Sequence, residues 1–331
     1  MADRGDNNFM RYVYRGEEGE IIPWGATHIT VAEDCTVIRA WAFRGHRNIV
    51  EVICHDRVEK IGKGAFFKCP SLRRVIMPGV KEVDMPFCEC KALEYVECGK
   101  LEIIKECAFN YCESLLSISL PSARIIKMNA FSYCKSLTGA RFGNKLETFE
   151  PGAFDFCKSL ERIIIPLKDG IITDDDIFMG CENLKHVDLV EGALRKTIAA
   201  LHLEEWRNDM NDVIDSINQI LPNASAGQWD GYNDTGDEGE KARTIRRWIR
   251  SVLNKIIHYK AEHYRYVKEG ITLLELALWK ANLSDNNGCE GEREGVRTTR
   301  GSRKRARREF RVTSGADVVI KNVLPFLKLD E

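Results

Sequence analysis

The sequence lacks any long hydrophobic run and has almost no net charge. No stretch approaches the ~18 consecutive apolar residues of a membrane-spanning helix. The N-terminus, MADRGDNNFMRYVYRGEEGE, is charged where a signal peptide would have an apolar core. The 49 basic and 50 acidic residues give a formal net charge of -1, so no overall field draws the chain to nucleic acid or to anionic lipid. We therefore expect no transmembrane segment and a reducing location, cytoplasmic or nuclear.

The sequence also lacks the short motifs of the common enzyme classes. It contains no GxxxxGK[ST], HExxH or GxSxG motif and no dinucleotide fingerprint. Among its 12 cysteines, Cys88-x-Cys90 with Cys98 nearby is the best candidate for a metal site. No pair of CxxC motifs or His-x-x-x-His completes a tetrahedral set of ligands there. The sequence therefore predicts a protein that is not an enzyme and has neither metal nor cofactor.

What the sequence does contain is a repeat built on an Ala-Phe phrase. Copies such as GAFFKC, CAFNYC and GAFDFC recur every 21 to 24 residues. The phenylalanines are Phe43, Phe66, Phe87, Phe109, Phe131, Phe154 and Phe178. A cysteine follows three residues later in every copy but the first, where His46 stands; these are Cys69, Cys90, Cys112, Cys134, Cys157 and Cys181. We expect each phenylalanine to stack on its equivalents in one core, and each small, apolar cysteine to fill a tight buried turn.

A second phrase, Leu-x-x-Val/Ile-x-apolar, follows the first in each repeat. Its alternating apolar residues predict a short strand with one face inward, and the Ala-Phe phrase predicts the returning arc. The central residues of the strands are Ile29, Val52, Val75, Val96, Ile118, Ala140, Ile163 and Val187. They predict eight stacked rungs, the first incomplete, because one unit of this size cannot bury its apolar side alone.

The phrase A-F-x-x-C-x-S-L-x-x-I-x-L-P, intact in CAFNYCESLLSISLP, resembles the BspA-type leucine-rich repeat. The resemblance covers residues 26–190. It implies an α/β repeat fold, a leucine-rich-repeat solenoid followed by an α-helical C-terminal region, and it implies recognition of proteins or surfaces without shared catalytic residues. Pro86 and Ile177 depart from the pattern, and we expect local distortion there.

The outward side chains of the predicted strands form the expected binding surface of such a solenoid. Arginine and tyrosine are enriched in interface hot spots, and exposed isoleucine adds apolar area. The predicted partner-binding residues are Arg74, Ile76, Tyr95, Arg141, Arg162, Ile164 and His186. The alternative is that these are ordinary outward residues of a strand, since scattered surface apolar side chains are normal.

Beyond the repeat, the apolar spacing becomes helical. We predict an N-terminal cap at 1–25, the solenoid at 26–190, an amphipathic helix at 191–221, an acidic flexible linker at 222–240, and a helical region at 241–331 with a disordered basic insert at about 284–308. Within the last region, a helix from Lys241 to Val267 ends at Gly270, and Thr272-Leu-Leu-Glu275 matches a capping box that opens the next. HYKAEHYRYVKEGITLLELALWKA and SGADVVIKNVLPFL are similar to tails beside such repeats in proteins of unicellular algae.

Two basic features leave a second function open. The helix from Lys241 has a basic flank that could bind nucleic acid or membrane, although we expect it to pack on its neighbours or to cap the solenoid. A basic cluster further on could direct nuclear import or bind phosphate, and consists of Arg303, Lys304, Arg305, Arg307 and Arg308. The favoured function is a scaffold that binds an unidentified protein. The alternative is a nuclear or nucleic-acid-associated protein. A third possibility is that the solenoid is mainly structural and the C-terminal region oligomerises the chain; the sequence leaves the oligomeric state open.

Overall fold

The structure is a computed structural model that describes residues 9–190, 196, 198–201, 203–221 and 239–287. The chain forms two compact units, residues 1–256 and 257–331. The first is a solenoid of stacked turns with a helical end, and the second begins within a helix. Among the residues described, no helix is both long enough and apolar enough to cross a bilayer.

The larger of two strand columns, here called the major ladder, runs the length of the solenoid. Its nine strands are parallel and are β1 Arg11–Tyr14, β2 His28–Val31, β4 Glu51–Ile53, β6 Arg74–Ile76, β8 Tyr95–Glu97, β10 Ser117–Leu120, β12 Gly139–Phe142, β14 Arg162–Ile165 and β15 His186–Leu189. The first five are hydrogen-bonded as one sheet and the last four as another. The eight predicted central residues are all buried at strand centres, in matching register within each sheet. The predicted solenoid is confirmed, and β1 adds a strand within the segment expected to be a cap.

A second column of two-residue strands, the minor ladder, lies on the returning arc. It consists of β3 Val37–Ile38, β5 Lys60–Ile61, β7 Glu82–Val83, β9 Ile103–Ile104, β11 Ile125–Ile126 and β13 Thr148–Phe149. These strands form one continuous parallel sheet. The minor ladder therefore bridges the point at which the major ladder divides between β8 and β10.

The seven phenylalanines form a single stack through the interior. Each is at most 3% exposed. Neighbouring ring centroids lie 4.9 to 5.8 Å apart with interplanar angles of 3° to 25°. The angle is widest between Phe87 and Phe109, after Pro86, and the distance is greatest between Phe154 and Phe178, where a 3₁₀ helix at Asp176–Phe178 replaces the usual arc. Both departures from the pattern thus produce small distortions, and Tyr14 extends the stack toward the N-terminus at 5.0 Å from Phe43.

Six of the seven phenylalanines are flanked by residues in the left-handed backbone region, two positions before and two after, and Phe178 has such a residue only after it, at Gly180. Nine of these residues are not glycine, and their φ angles lie between 50° and 61°. They are Trp41, Lys68, Met85, Glu89, Cys107, Tyr111, Asn129, Tyr133 and Phe156. Because left-handed residues stand two positions from phenylalanine, every second N–H group of the arc points in the same direction and donates to a carbonyl of the next turn of the solenoid.

Among the described residues, three helices with defined bounds follow the last strand, and two of them cover the end of the solenoid. They are α1 Glu204–Asp215, α2 Ile217–Ile220 and α3 Glu240–Asn287. On the edge strand β15, the N–H of Val187 donates to Oδ1 of Asn218 in α2 at 3.1 Å. The buried face of α3 within the first unit is Ala242, Ile245, Trp248, Ile249 and Val252. The prediction that this helix packs on its neighbours and caps the solenoid is confirmed.

The helix boundaries correct one prediction. The break at Gly270 and the new helix at Thr272 are wrong, because α3 is continuous from Glu240 to Asn287. A glycine in a helix interior costs only about 1 kcal/mol relative to alanine, too little to end a helix flanked by strong helix formers. The Thr272 hydroxyl donates to the carbonyl of Lys268 at 2.9 Å instead of capping an N–H group. The helix begins inside the predicted linker and includes residues 284–287, the start of the expected insert.

Candidate recognition surface

The seven predicted partner-binding residues all lie on the outward face of the major ladder. Inward and outward side chains alternate along each strand because the period of a strand is two. The outward residues form two columns along the solenoid. One column contains Arg74 and Tyr95 in the first sheet and Arg162 and His186 in the second; the other contains Ile76, then Arg141, Ile164 and Asp188. Their strand neighbours should be about 4.8 Å away, close enough for one ligand to touch several.

In the first sheet, Tyr95 is the centre of an aromatic and cationic group. Its side chain is 48% exposed. The guanidinium carbon of Arg74 lies 5.3 Å from the centroid of the Tyr95 ring, and Nε of Arg74 lies 3.5 Å from Oε1 of Glu51. The partly exposed Ile53 and Ile76 are paired beside them in the second column. This arrangement holds an arginine against a tyrosine beside an apolar surface.

The second sheet carries the other cations of the face. Nη1 of Arg162 donates to Oδ2 of Asp188 at 2.6 Å, which fixes that arginine across the strand face. Arg141 is exposed, and its guanidinium makes no hydrogen bond or ion pair with any residue in the described part of the chain. Ile164 is its strand neighbour, and the exposed His186 is the neighbour of Arg162. Arg141 is therefore a cation held on a rigid strand without an ion-pair partner among the residues that the structure describes.

Small side chains separate the Tyr95 group of the first sheet from the cations of the second sheet. The outward residues between Tyr95 on one side and Arg141 on the other are Ser117 and Ser119 of β10 and Gly139 of β12. Because these residues have little or no side chain, they form the floor of a shallow notch across the ladder. The notch lies where the ladder divides into two sheets, and the N–H of Leu116 reaches the carbonyl of Glu94 at 3.4 Å across that division.

Leu116 belongs to this surface but was not predicted. It is 55% exposed and lies beside the notch. Its equivalents in the neighbouring repeats are polar and exposed, namely Arg73, Glu94, Thr138, Glu161 and Lys185. The equivalent in the repeat of β4 is Val50, which is partly buried, so an exposed apolar residue at a position that is polar in five other repeats is the signal by which the sequence could have identified Leu116.

The cysteine column has a structural role that the sequence predicted only in part. The six thiols are buried as expected. Each Sγ also donates to the carbonyl oxygen of the phenylalanine in the preceding repeat at 3.0 to 3.2 Å, from Cys69 to Phe43 through Cys181 to Phe154. Burial raises the pKa of Cys90, Cys112 and Cys157 well above its ordinary value, so these thiols are poor nucleophiles.

In the first repeat, His46 takes the place of the cysteine. Its Nε2 lies 3.0 Å from the carbonyl oxygen of Pro23, 23 residues earlier. The histidine thus makes the same kind of contact with the preceding turn. Within the described ranges, no group of three or more His, Cys, Asp or Glu side chains is arranged to hold a metal ion.

The basic flank of α3 is engaged within the first unit. Arg243 and Arg246 both bind the carboxylate of Asp175, at 3.2 and 2.9 Å. Arg250 lies 3.3 Å from Asp169 and Lys255 lies 2.6 Å from Asp209. The contacts with Asp175 and Asp169 hold α3 on the solenoid, and the contact with Asp209 holds it on α1. All of them occupy cations that the nucleic-acid alternative would use. The cluster Arg303, Lys304, Arg305, Arg307 and Arg308 lies outside the described residues.

Comparisons with known proteins agree with this repeat. Residues 25–98 and 84–197 match the model of the BspA type leucine-rich repeat region, with six copies. The leucine-rich repeat protein of T. pallidum aligns with 60% of this chain and 91% of its own, at 20% identity and a TM-score of 0.38. A leucine-rich repeat protein of Bacteroides ovatus aligns with 51% of this chain and 53% of its own, at 19% identity and a TM-score of 0.36. The chain thus spans about half the length of the second protein. A search of curated proteins found no match.

Proposed function

Because this chain belongs to the BspA-type leucine-rich repeat family, we propose that it is a protein-interaction scaffold that binds its partner along the outward face of the major ladder. Leucine-rich-repeat solenoids generally mediate protein–protein interactions, and the family consists typically of recognition modules without enzymatic activity. The outward face offers a partner rigid strands, where the binding side chains are already ordered before contact.

The observation that carries the proposal is the exposed cation Arg141 across the notch from Tyr95. Arginine and tyrosine are the residue types that most often dominate binding energy, and they do so when a partner excludes water from them. The basic residues of α3 support the fold through ion pairs, whereas Arg141 has no such role among the described residues. A residue of this kind on a rigid surface is available for binding.

The chemistry of the face favours a particular kind of partner. A carboxylate would complement Arg141, and an apolar group would fit against Tyr95, Leu116 and the paired isoleucines of the first sheet. Ser117, Ser119 and Gly139 leave room for a side chain or an extended segment of the partner. We place this interaction in a reducing compartment, cytoplasmic or nuclear, which suits the eleven described cysteines that carry free thiols.

The test is quantitative affinity capture from the native cell, comparing the unaltered chain with Tyr95→Ala plus Arg141→Ala. The matched control is Val37→Ala plus Lys60→Ala, a pair of exposed neighbours on the minor ladder. We expect the first variant to bind the captured partner at least about 100-fold more weakly, because two hot spots are removed. The control should bind normally.

Equal capture by both variants would exclude the outward face as the binding surface. Binding of the purified partner is then measured at increasing salt. Affinity that depends on Tyr95 and apolar contacts should fall only modestly, whereas capture through phosphate contacts should fall steeply with salt, as the nucleic-acid alternative requires.

A further inference from the structure

The part of α3 that lies in the second unit carries a largely exposed apolar stripe. Ile257, Tyr264, Ile271 and Leu278 are seven residues apart, and Val267 and Leu274 follow three residues after two of them. This spacing of three and four residues is the a/d pattern of a coiled coil, and it extends over about 32 Å of helix. The remaining d position holds Lys260, a polar interruption of a kind that fixes register in coiled coils.

The stripe is open to solvent in the structure. Ile257 and Tyr264 are 64% and 62% exposed, and Leu274 and Leu278 are 51% and 46% exposed. Ile271 and Val267, near the middle of the stripe, are partly exposed. Single exposed apolar residues are ordinary on a protein surface, but a continuous stripe at coiled-coil spacing marks an interaction site.

Two charges beside the stripe indicate what covers it. Lys268 and Glu275 occupy e positions one heptad apart, and both are exposed. Neither side chain makes an ion pair with a residue in the described ranges. In an antiparallel pair of identical helices, e positions face e positions. Lys268 then lies near the partner's Glu275, and the two-fold axis repeats the contact, so both ion pairs form at once.

The core positions fit the same axis. In an antiparallel pair, the residues at heptad positions a pack against the partner's residues at positions d. Ile271 therefore packs against the partner's Leu274, and Val267 packs against the partner's Leu278. The g positions nearest the axis are Gly270 and Ala277, whose small side chains let the two helices approach closely. In a parallel pair, Glu275 would instead face the partner's Gly270, and the attraction would be lost.

From this self-complementarity we propose that α3 dimerises with a second copy of the chain, as an antiparallel coiled coil in which residues 265–280 of the two copies face each other. A two-fold interface requires a surface that matches itself, and the stripe with its Lys268 and Glu275 pair meets that requirement. The proposal does not depend on the strand face. A dimer would carry two strand faces, one from each copy, and this raises its avidity for a partner with repeated binding sites.

The test is sedimentation equilibrium of the full chain and of charge-reversed variants, from about 1 to 100 μM at low salt. The unaltered chain should be a dimer. Lys268→Glu places four acidic groups across the interface, and Glu275→Lys places four basic groups there, so each variant alone should dimerise at least about 10-fold more weakly. An equimolar mixture of the two variants should recover dimerisation as a heterodimer, and the chain carrying both substitutions should recover it as a homodimer.

The control is Glu269→Lys, which changes the net charge as Glu275→Lys does, at an exposed f position that faces away from the seam. It should dimerise like the unaltered chain. A monomeric unaltered chain, equal weakening by the control, or failure of the mixture to associate would each overturn the proposal. If the full chain is monomeric and a chain ending at Val312 dimerises, the stripe is covered by the chain's own C-terminal segment, which also overturns it.

Discussion

At the scale of single residues, the arc of each repeat depends on backbone conformations that most side chains disfavour. The left-handed region costs a residue other than glycine about 1–2 kcal/mol. The conformation persists because it aims N–H groups at the next turn: Lys68 donates to the carbonyl of Cys88 at 3.0 Å, and Glu89 donates to the carbonyl of Asn110 at 2.8 Å. Every second residue of the arc makes such a hydrogen bond, which offsets the strain of the left-handed conformation. Many residue types are therefore tolerated at the left-handed positions.

Two glycines allow the energetic cost of the left-handed conformation to be distinguished from the cost of a steric clash. Gly64 and Gly170 have φ angles of 60° and 76°. A Cβ on Gly64 would lie 2.0 Å from the ring of Trp41, whereas a Cβ on Gly170 would meet nothing within 4 Å. Gly170→Ala should therefore lower the free energy of unfolding by about 1 kcal/mol, the backbone term alone. Gly64→Ala should lower it by about 2–3 kcal/mol, because Trp41 must also move.

Urea unfolding monitored by circular dichroism measures both losses. The indole N–H resonance of Trp41 in an NMR spectrum, assigned with a Trp41→Phe variant, reports separately whether the ring is displaced in the folded Gly64→Ala variant. Equal losses for the two variants, with an unchanged Trp41 resonance, would contradict the role given to the contact between Gly64 and Trp41.

The sequence predicted the side chains of the arc better than its backbone. Phenylalanine and cysteine recur because the stack and the thiol hydrogen bonds each accept essentially one size of side chain. The left-handed positions could not be predicted, because a hydrogen-bonded backbone tolerates tryptophan at 41, methionine at 85 and asparagine at 129 equally. The glycines at 64 and 152, each two residues before a phenylalanine, were the available signal.

At the scale of elements, the solenoid is two strand columns closed at one end by helices. The minor ladder was not predicted, since two residues are too few for an alternating pattern. Its inward residues nevertheless recur with the same period, as Ile38, Ile61, Val83, Ile104, Ile126 and Phe149. The outward face of the major ladder was predictable from alternation alone, but its division between β8 and β10, which forms the notch, depends on hydrogen-bond geometry between turns.

The closing helices should stabilise mainly the turns next to them. Trp248 is 3% exposed, and its Nε1–H donates to the carbonyl of Val213 in α1 at 2.9 Å. Trp248→Ala should lower the free energy of unfolding by about 3–5 kcal/mol, as for other buried aromatic residues. In a solenoid each turn contacts only its neighbours, so the loss should begin at β15 and β14 and reach β2 and β1 last.

Hydrogen exchange measured by mass spectrometry can follow this order along the chain. The control is Trp279→Ala, because that tryptophan is 61% exposed and its removal should leave exchange at β14 and β15 unchanged. Uniform loss of protection over all strands in Trp248→Ala would contradict a cap that acts locally.

At the scale of the whole molecule, the near-zero net charge corresponds to ion pairs between successive turns. Opposite charges 22 or 23 residues apart lie side by side, as in Lys81 with Glu59 and Arg124 with Glu147. Each exposed pair contributes little by itself, and at most about 1 kcal/mol. Because these pairs join neighbouring turns along the solenoid, part of the balance between 49 basic and 50 acidic residues reflects the stacking of turns rather than the charge of a partner.

The stacked interior also makes the whole molecule sensitive to alkali. Burial raises the pKa of Cys54 and Cys98 from an ordinary value of 9.0 to about 12. The folded state therefore keeps these protons while the unfolded state loses them. The contribution of the protonated buried thiols to the free energy of unfolding is fully present below pH 9 and is lost as the pH rises toward about 12. Between pH 9 and pH 10 the loss is about 1 kcal/mol for each thiol.

Urea unfolding between pH 8 and pH 10, with a reductant present, should show this decline. Cys54→Ala plus Cys98→Ala should be less stable at pH 8 but should lose about 2 kcal/mol less than the unaltered chain between pH 9 and pH 10. Val96→Ala, a buried substitution that removes no titrating group, should lose stability equally at every pH and keep the original slope. Lysines and tyrosines titrate in all three proteins, so their effect cancels in the comparison. Parallel curves for the unaltered chain and the double variant would show that the buried thiols are not the source of the alkaline loss.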